Sequence, residues 1–490
     1  MISELYSLIH SLSSVERKMF ILNSKSTEGD KDYLELYDLI LNKKIDHINQ
    51  IKETFVKKYP DKSFQNNVTY LFKSIIKTLI LLRIGQDDWF AELYGLMVSQ
   101  LCIERSLPNY ALKVLRDIKI KAKNNQNQIN SYYAERMELS ILSDMNFIGL
   151  NESDLIERQM GLRNSITKIK HIQEQFSIFE LLRIRTLNEP LLASKVNNKK
   201  IQDLILSEMA INSTNNKNMF ISQKLHLMFQ SFFLTRIENY KSAINVFHKL
   251  NQLFENNQKL WNNPPYDYLS VLDEILSILQ TTSQVEEMEY FLSKLTKLCS
   301  PLYPEHFNRE AKKAIFSHSF SKSILERNFE QAKLIAQEIT FTHHLHINSK
   351  RDSELILWNS VLNSYLEKWD VVKKISSSFL VYVHQKNYER VGRLLNIIAL
   401  YELKEFDTID YTIRAYKRTF KNYPNLYEIE KTIFSLISVD IKKRGNSYKE
   451  SFRKKQHNIL LKESTENPEV HNYLLKYYDF IGWVHQTCSI

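Results

Sequence analysis

Three histidines in "FTHHLHIN", His343, His344 and His346, come nearest in this chain to a metal-binding pattern. On a helix, positions 343 and 346 share a face, so two imidazoles can meet one ion. Zinc takes three or four ligands, and no cysteine stands nearby to complete the set. The competing reading is a polar link between helices with incidental histidines. The cysteines offer no better chemistry. Cys102, Cys299 and Cys488 are far apart and form no CxxC pair. That pattern argues against a disulfide framework and for a reducing cytoplasm. Cys299 falls on an apolar face, where a cysteine packs rather than attacks. The 8 glycines are scattered singly, so no phosphate cradle or dinucleotide fingerprint forms, and neither HExxH nor GxSxG occurs. The expectation is a protein that is not an enzyme and carries no cofactor and no metal.

One neighbourhood gathers charge: Lys442, Lys443 and Arg444, followed by Lys449, Arg453, Lys454 and Lys455. Such a run can neutralise phosphates of DNA or RNA. Tyr448 and Phe452 are interleaved at i and i+4, which suits a core-facing stripe, so a solvated helix face is the competing reading. The net charge of +10 over 490 residues is a mild bias that permits nucleic-acid or acidic-protein contact without demanding either.

The elements that must position these residues are helices. Hydrophobic residues make up 43% of the chain, ample for a continuous core, while Gly (8) and Pro (9) are scarce. Strand-rich folds need many tight turns, and glycine supplies their positive φ angles. Scarce glycine therefore points to long helices joined by short polar links. The strongest apolar run, "SIIKTLILLRIG", is broken by Lys77 and Arg83 and is too short to span a bilayer. The start, "MISELYSLIH", carries Glu4 and no basic leader, unlike a secretion signal. No membrane partner is expected, and a cytoplasmic location is.

Four regions follow along the chain. Residues 1–85 read as a cluster of short helices. A capping box pairs Ser13 with Glu16, and further helices are predicted over Asp32–Leu41, His47–Lys58 and Phe64–Arg83. Residues 86–215 read as an irregular helical region that continues the array. It includes Ala111, Leu115 and Ile118 on one face and a long stretch over roughly 152–185. Residues 216–440 carry a repeat. Tyr240 and Ala243, Val285 and Met288, Phe329 and Ala332, Trp369 and Val372, and Phe406 and Ile409 place an aromatic or Val three residues before a slender or apolar residue. The anchors are 45, 44, 40 and 37 residues apart, and an apolar-periodic segment precedes each. The predicted unit is a helix pair whose +3 residue admits the partner helix and whose anchor fills the wedge between them. One pair cannot bury its apolar faces alone, so neighbours must stack. Ser283 and Glu286 are predicted to form a second capping box. Residues 441–490 read as a basic segment and a closing helix, with Asn467 as N-cap and Pro468 at the first position.

Aromatic-xx-Ala followed four residues later by Phe, as at Tyr240, Ala243 and Phe247, resembles the second helix of a tetratricopeptide repeat. The intervals exceed the usual 34 residues, and the Trp-Leu-Gly signature and closing Pro are missing, so the array resembles a divergent form. A second resemblance covers most of residues 1–340. "ELYSLIHSLSSVERKMF", "GDKDYLELYDLI", "IKETF" and "NNVTYLFKSIIKTL", in that order, are similar to the opening of a largely uncharacterised family of long bacterial helical-repeat proteins. "YDYLSVLDEILSILQTTSQVEEMEYFLSKL" resembles its central helix pair. The resemblance implies an all-α, tetratricopeptide-like protein inside the cell and transfers no catalytic residues.

Together these readings predict an all-α fold: an α-solenoid of stacked antiparallel helix pairs with a small helical cluster at its N-terminus. The expected function is a non-enzymatic scaffold or adaptor that binds another protein or peptide on its repeat surface. The alternative is a nucleic-acid-linked regulator. In it the N-terminal helices, or Lys442, Lys443, Arg444, Arg453, Lys454 and Lys455, contact DNA or RNA.

Overall fold

A computed structural model of the chain describes residues 1–25, 32–41, 48–188, 199–212, 219–237, 239–261, 264–301, 303–342, 350–379, 386–421, 428–441, 474–475 and 477–487. Among the described residues the fold is all-α, with 22 α-helices. The first five, α1 (Ile2–Ser11), α2 (Ser14–Lys25), α3 (Asp32–Leu41), α4 (Ile48–Lys58) and α5 (Phe64–Ile84), pack around one core that includes Leu5, Phe20, Tyr37, Phe55 and Leu71. The capping box at Ser13 forms as read: Glu16 N–H donates to Ser13 Oγ at 3.2 Å, and Ser13 N–H donates to Glu16 Oε2 at 2.8 Å.

Helices α6 (Asp88–Glu104), α7 (Pro108–Asn124), α8 (Gln128–Asp144), α9 (Glu152–Asn188) and α10 (Lys199–Asn212) follow. Ala111, Leu115 and Ile118 are buried together in a small core shared by α6, α7 and α8. Five helix pairs come next: α11 (Phe220–Arg236) with α12 (Tyr240–Asn256), α13 (Tyr266–Thr281) with α14 (Val285–Leu298), α15 (Glu305–Leu325) with α16 (Phe329–Thr342), α17 (Lys350–Tyr365) with α18 (Trp369–Phe379), and α19 (Lys386–Glu402) with α20 (Phe406–Thr419). Helices α21 (Glu428–Ile441) and α22 (Phe480–Thr487) close the described chain.

From α3 onward consecutive helices pack pairwise, except that α11 packs on α9 rather than on α10. In addition, α13 packs on α15, α15 on α17, and α17 on α19. Contacts are therefore local in sequence, a pattern consistent with a helical repeat. The cores hand over in the same order. Phe307, Ala311 and Ala314 at the start of α15 belong to the core of α11–α14, while Phe320 and Ile324 at its end belong to the core that runs on to α22.

All five anchors read from the sequence are the first residue of a second helix: Tyr240, Val285, Phe329, Trp369 and Phe406. The residues three positions on, Ala243, Met288, Ala332, Val372 and Ile409, are all buried. The wedge between helices is therefore filled by the +3 residue. The anchors themselves are less buried: Phe406 is 39% exposed, while Phe329 and Trp369 are half-buried against the core of the later pairs.

The link before four of the five anchors, Val285, Phe329, Trp369 and Phe406, is made the same way. Ser283, Arg327, Glu367 and Lys404 have φ of 55°, 56°, 56° and 59°. The next residue in each case donates its N–H to the carbonyl five residues back: Gln284 to Leu279, Asn328 to Ser323, Lys368 to Asn363 and Glu405 to Leu400, at 2.8–3.0 Å. This is the Schellman ending of a helix, with a non-glycine residue in the left-handed position. Ser106 and Gln126 repeat it between α6 and α7 and between α7 and α8. The same left-handed link thus recurs at six helix ends. It also corrects the second capping box. Ser283 ends α13 in the left-handed conformation, and Gln284 is the N-cap of α14, with no side-chain cap.

Asn467 and Pro468, the expected start of a closing helix, lie outside the described residues. The stretch Tyr478–Asp479 is not helical, and α22 begins only at Phe480. This breaks the single closing helix expected from the sequence. Its N-cap is Asp479, whose Oδ1 accepts from the Gly482 N–H at 2.7 Å. The segment is docked: Trp483 Nε1 donates to Glu402 at 2.7 Å, Asp479 N–H donates to Tyr365 Oη at 3.0 Å, and Tyr477 meets Trp358 with centroids 5.1 Å apart. No helix among the described residues is long and apolar enough to cross a membrane.

Candidate functional site

The chemistry-bearing candidates of the sequence place as follows. Lys442, Lys443, Arg444, Arg453, Lys454 and Lys455 lie outside the described residues, as do His343, His344 and His346. Cys299 is half-buried at the end of α14, and burial raises its thiol above the ordinary value of 9.0, with Lys312 opposing. A protonated, packed thiol is a poor nucleophile. Among the described residues no group of three or more His, Cys, Asp or Glu is placed to hold a metal ion.

The buried charges are engaged between helices. Glu92 of α6 is 1% exposed and accepts from Asn125 (3.0 Å), Asn127 (2.9 Å) and Asn130 (2.8 Å). Glu138 of α8 pairs with Lys119 of α7 and, at 3.1 Å, with Arg158 of α9. Burial opposes its ionisation, but the bonds and charges of Lys119 and Arg158 prevail and hold the carboxyl below its usual range. Arg390 of α19 donates to both oxygens of Glu430 of α21 at 2.7 and 2.6 Å, and Tyr416 of α20 donates to Glu430 as well. Between α12 and α14 runs a ladder: His248 Nε2 lies 2.9 Å from Glu287, Asn251 donates to Tyr290 at 3.4 Å, and Lys294 donates to Glu255 at 2.6 Å. Each pair spans 39 residues, so successive second helices are held in one register. These groups bind helix to helix.

What is unspent is apolar surface. Between Trp89 and Met209 large apolar side chains are repeatedly exposed, whereas few are among the described residues of 216–440. Helix α6 shows why. Glu92, Leu96, Ser99 and Ile103 turn toward α7 and α8, and Gly95 admits Ile118 of α7, where a Cβ would stand 2.8 Å from its tip. The opposite face carries Tyr94, Met97 and Leu101, exposed by 45%, 57% and 57%, with Trp89 at 53% on the first turn. Positions 94, 97 and 101 form one stripe. Ile129 and Tyr133 make a second such step on α8. The signal was present in "DWFAELYGLMVSQLCIE", a helix apolar on every side. Such a helix is either buried all round or leaves one face for a partner, and only the packing tells which.

A second feature lies where the N-terminal cluster meets the array. A groove of about 480 Å³ is lined by Ser14, Arg17, Lys18, Ile21 and Leu22 of α2 and by Glu305 at the start of α15. Beside it Tyr266 stacks on His306, with centroids 6.0 Å apart. Burial raises the Tyr266 phenol to about 12, and burial lowers the His306 imidazole from its ordinary 6.5. Glu16 and Arg83 of the N-terminal helices act on both.

Comparison with protein-family models, with curated proteins and with solved structures finds no match to this chain.

Proposed function

We propose that the protein is a non-enzymatic interaction scaffold, a divergent tetratricopeptide-like α-solenoid inside the cell that receives a helix or peptide of another protein. The observation that carries this reading is the exposed stripe Tyr94, Met97 and Leu101 on α6. Large exposed apolar patches on a folded chain mark interaction sites, and aromatic and Met side chains supply most interface energy. Covering these three half-exposed side chains is worth about 1 kcal/mol each at roughly 25 cal/mol per Å². The mechanism is equilibrium binding on a rigid array, with no covalent step. An amphipathic helix laid along α6 would meet the stripe with its own i, i+3 and i+7 anchors. Anchors that open the second helices, buried +3 residues and stacked first helices support the tetratricopeptide-like architecture.

A photo-crosslinking residue at Met97 tests this. It should trap a discrete protein adduct in cells, and Tyr94→Ser with Leu101→Ser should abolish that adduct while leaving the melting temperature unchanged. The same probe at the exposed Leu334 of α16 should trap nothing comparable. Identical adducts at both positions, or none at Met97, would refute the reading. The nucleic-acid alternative predicts instead duplex binding that weakens steeply with salt.

A further inference from the structure

We propose that the groove between α2 and the start of α15 docks a short acidic–aliphatic peptide segment of a partner protein. One carboxylate is received by Arg17 and Lys18, and a Leu, Ile or Phe one helical turn away covers Ile21 and Leu22. This inference is independent of the α6 surface.

Ser14, Arg17, Lys18, Ile21 and Leu22 recur at three- and four-residue steps, so they form one continuous face of α2. That face is split by chemistry, with cations in its first half and aliphatics in its second. Ile21 and Leu22 are 37% and 52% exposed. Among the described residues neither Arg17 nor Lys18 forms an ion pair, and Arg17 Nε is buried with no hydrogen-bond partner. A carboxylate in the groove would not reach this closed-off Nε but would meet the Lys18 ammonium and the outer guanidinium nitrogens of Arg17 in charge-assisted hydrogen bonds. A purely apolar occupant would bury both cations unpaired. A polyanion fits no better. Glu305 forms the facing wall and offsets one of the two cations, so the groove carries charge for one carboxylate rather than for a phosphate chain. Nucleic acid would also leave Ile21 and Leu22 unused.

The probe is a random dodecapeptide library displayed on phage and selected on the full chain. Enriched peptides should carry Asp or Glu three or four residues from Leu, Ile or Phe. Their fluorescein-labelled copies should lose about tenfold in affinity with Arg17→Ala and Lys18→Ala together, the effect of one lost charge-assisted contact. Lys18→Glu alone, at an exposed position that cannot unfold the chain, should weaken binding in the same direction. Glu305→Gln should strengthen it, because a repelling charge is removed. Met97→Ser with Leu101→Ser on α6 should leave it unchanged. Enrichment of basic or uncharged peptides would overturn the proposal. So would binding indifferent to Lys18→Glu, binding lost through the α6 variant, or duplex DNA that competes for the groove.

Discussion

Replacing Glu430 by Ala should destabilise the C-terminal half of the array by about 3–5 kcal/mol, the usual cost of breaking a buried ion pair by removing one partner. The size follows from the setting. Arg390 is 3% exposed and Glu430 is fully buried. The pair is bidentate, with N–H···O distances of 2.7 and 2.6 Å. Without the carboxylate, the guanidinium loses a bidentate partner at a site closed to water, and Tyr416 loses the acceptor of its hydroxyl. Burial, the largest of the effects that hold the Tyr416 phenol well above its ordinary value of 10, persists in the variant and disfavours its ionisation. Removing all the polar members at once, with Arg390→Met, Tyr416→Phe and Glu430→Leu, should cost far less, within about 1–2 kcal/mol of the starting protein, because a packed apolar cluster carries no desolvation debt. Equilibrium unfolding in urea, followed by circular dichroism and by fluorescence of Trp483, measures both. A Glu430→Ala cost below about 1 kcal/mol would refute the reasoning, as would a triple variant no more stable than the single one. Either result would mean that water reaches the site, or that the three helices do not depend on the triad for their contact.

Two further outcomes are expected. Glu367→Gly and Lys404→Gly should each stabilise the protein by about 0.5–1 kcal/mol, since glycine relieves the cost of a side chain in the left-handed position; a fall in melting temperature on either change would contradict the link geometry. Burial lowers His306, so below its ordinary 6.5 the unfolded chain binds the extra proton first and stability falls as pH drops from 6.5 toward the folded value. Unfolding midpoints measured against pH should show this acid slope flattened by His306→Gln, and an unchanged slope would exclude the histidine as its source.

Much of the helical frame is legible one segment at a time. Asp32–Leu41 is a helix with the very bounds its stripe predicts, Ser13 and Glu16 cap as their spacing requires, and each of the five anchors opens a helix. These features depend on neighbours within four or five residues, so composition and period carry them. Ser283 misleads for a related reason. Its spacing to Glu286 fits a cap, but the end of one helix and the start of the next compete for the same residues, and the Schellman bonds of α13 prevail. The candidate surfaces were hidden from the sequence. Whether Met97 faces α7 or solvent depends on which side of an all-apolar helix its neighbours take. Whether Arg17 and Lys18 line a groove at all depends on Glu305, which is 288 positions from Arg17 in the chain. The sequence alone determined that the chain forms helices, where the second helix of each pair begins, and which +3 residues lie inside. Only the tertiary structure decided which apolar faces remain uncovered and which charges meet, because exposure and ion pairing belong to the packed assembly of helices and not to any one of them.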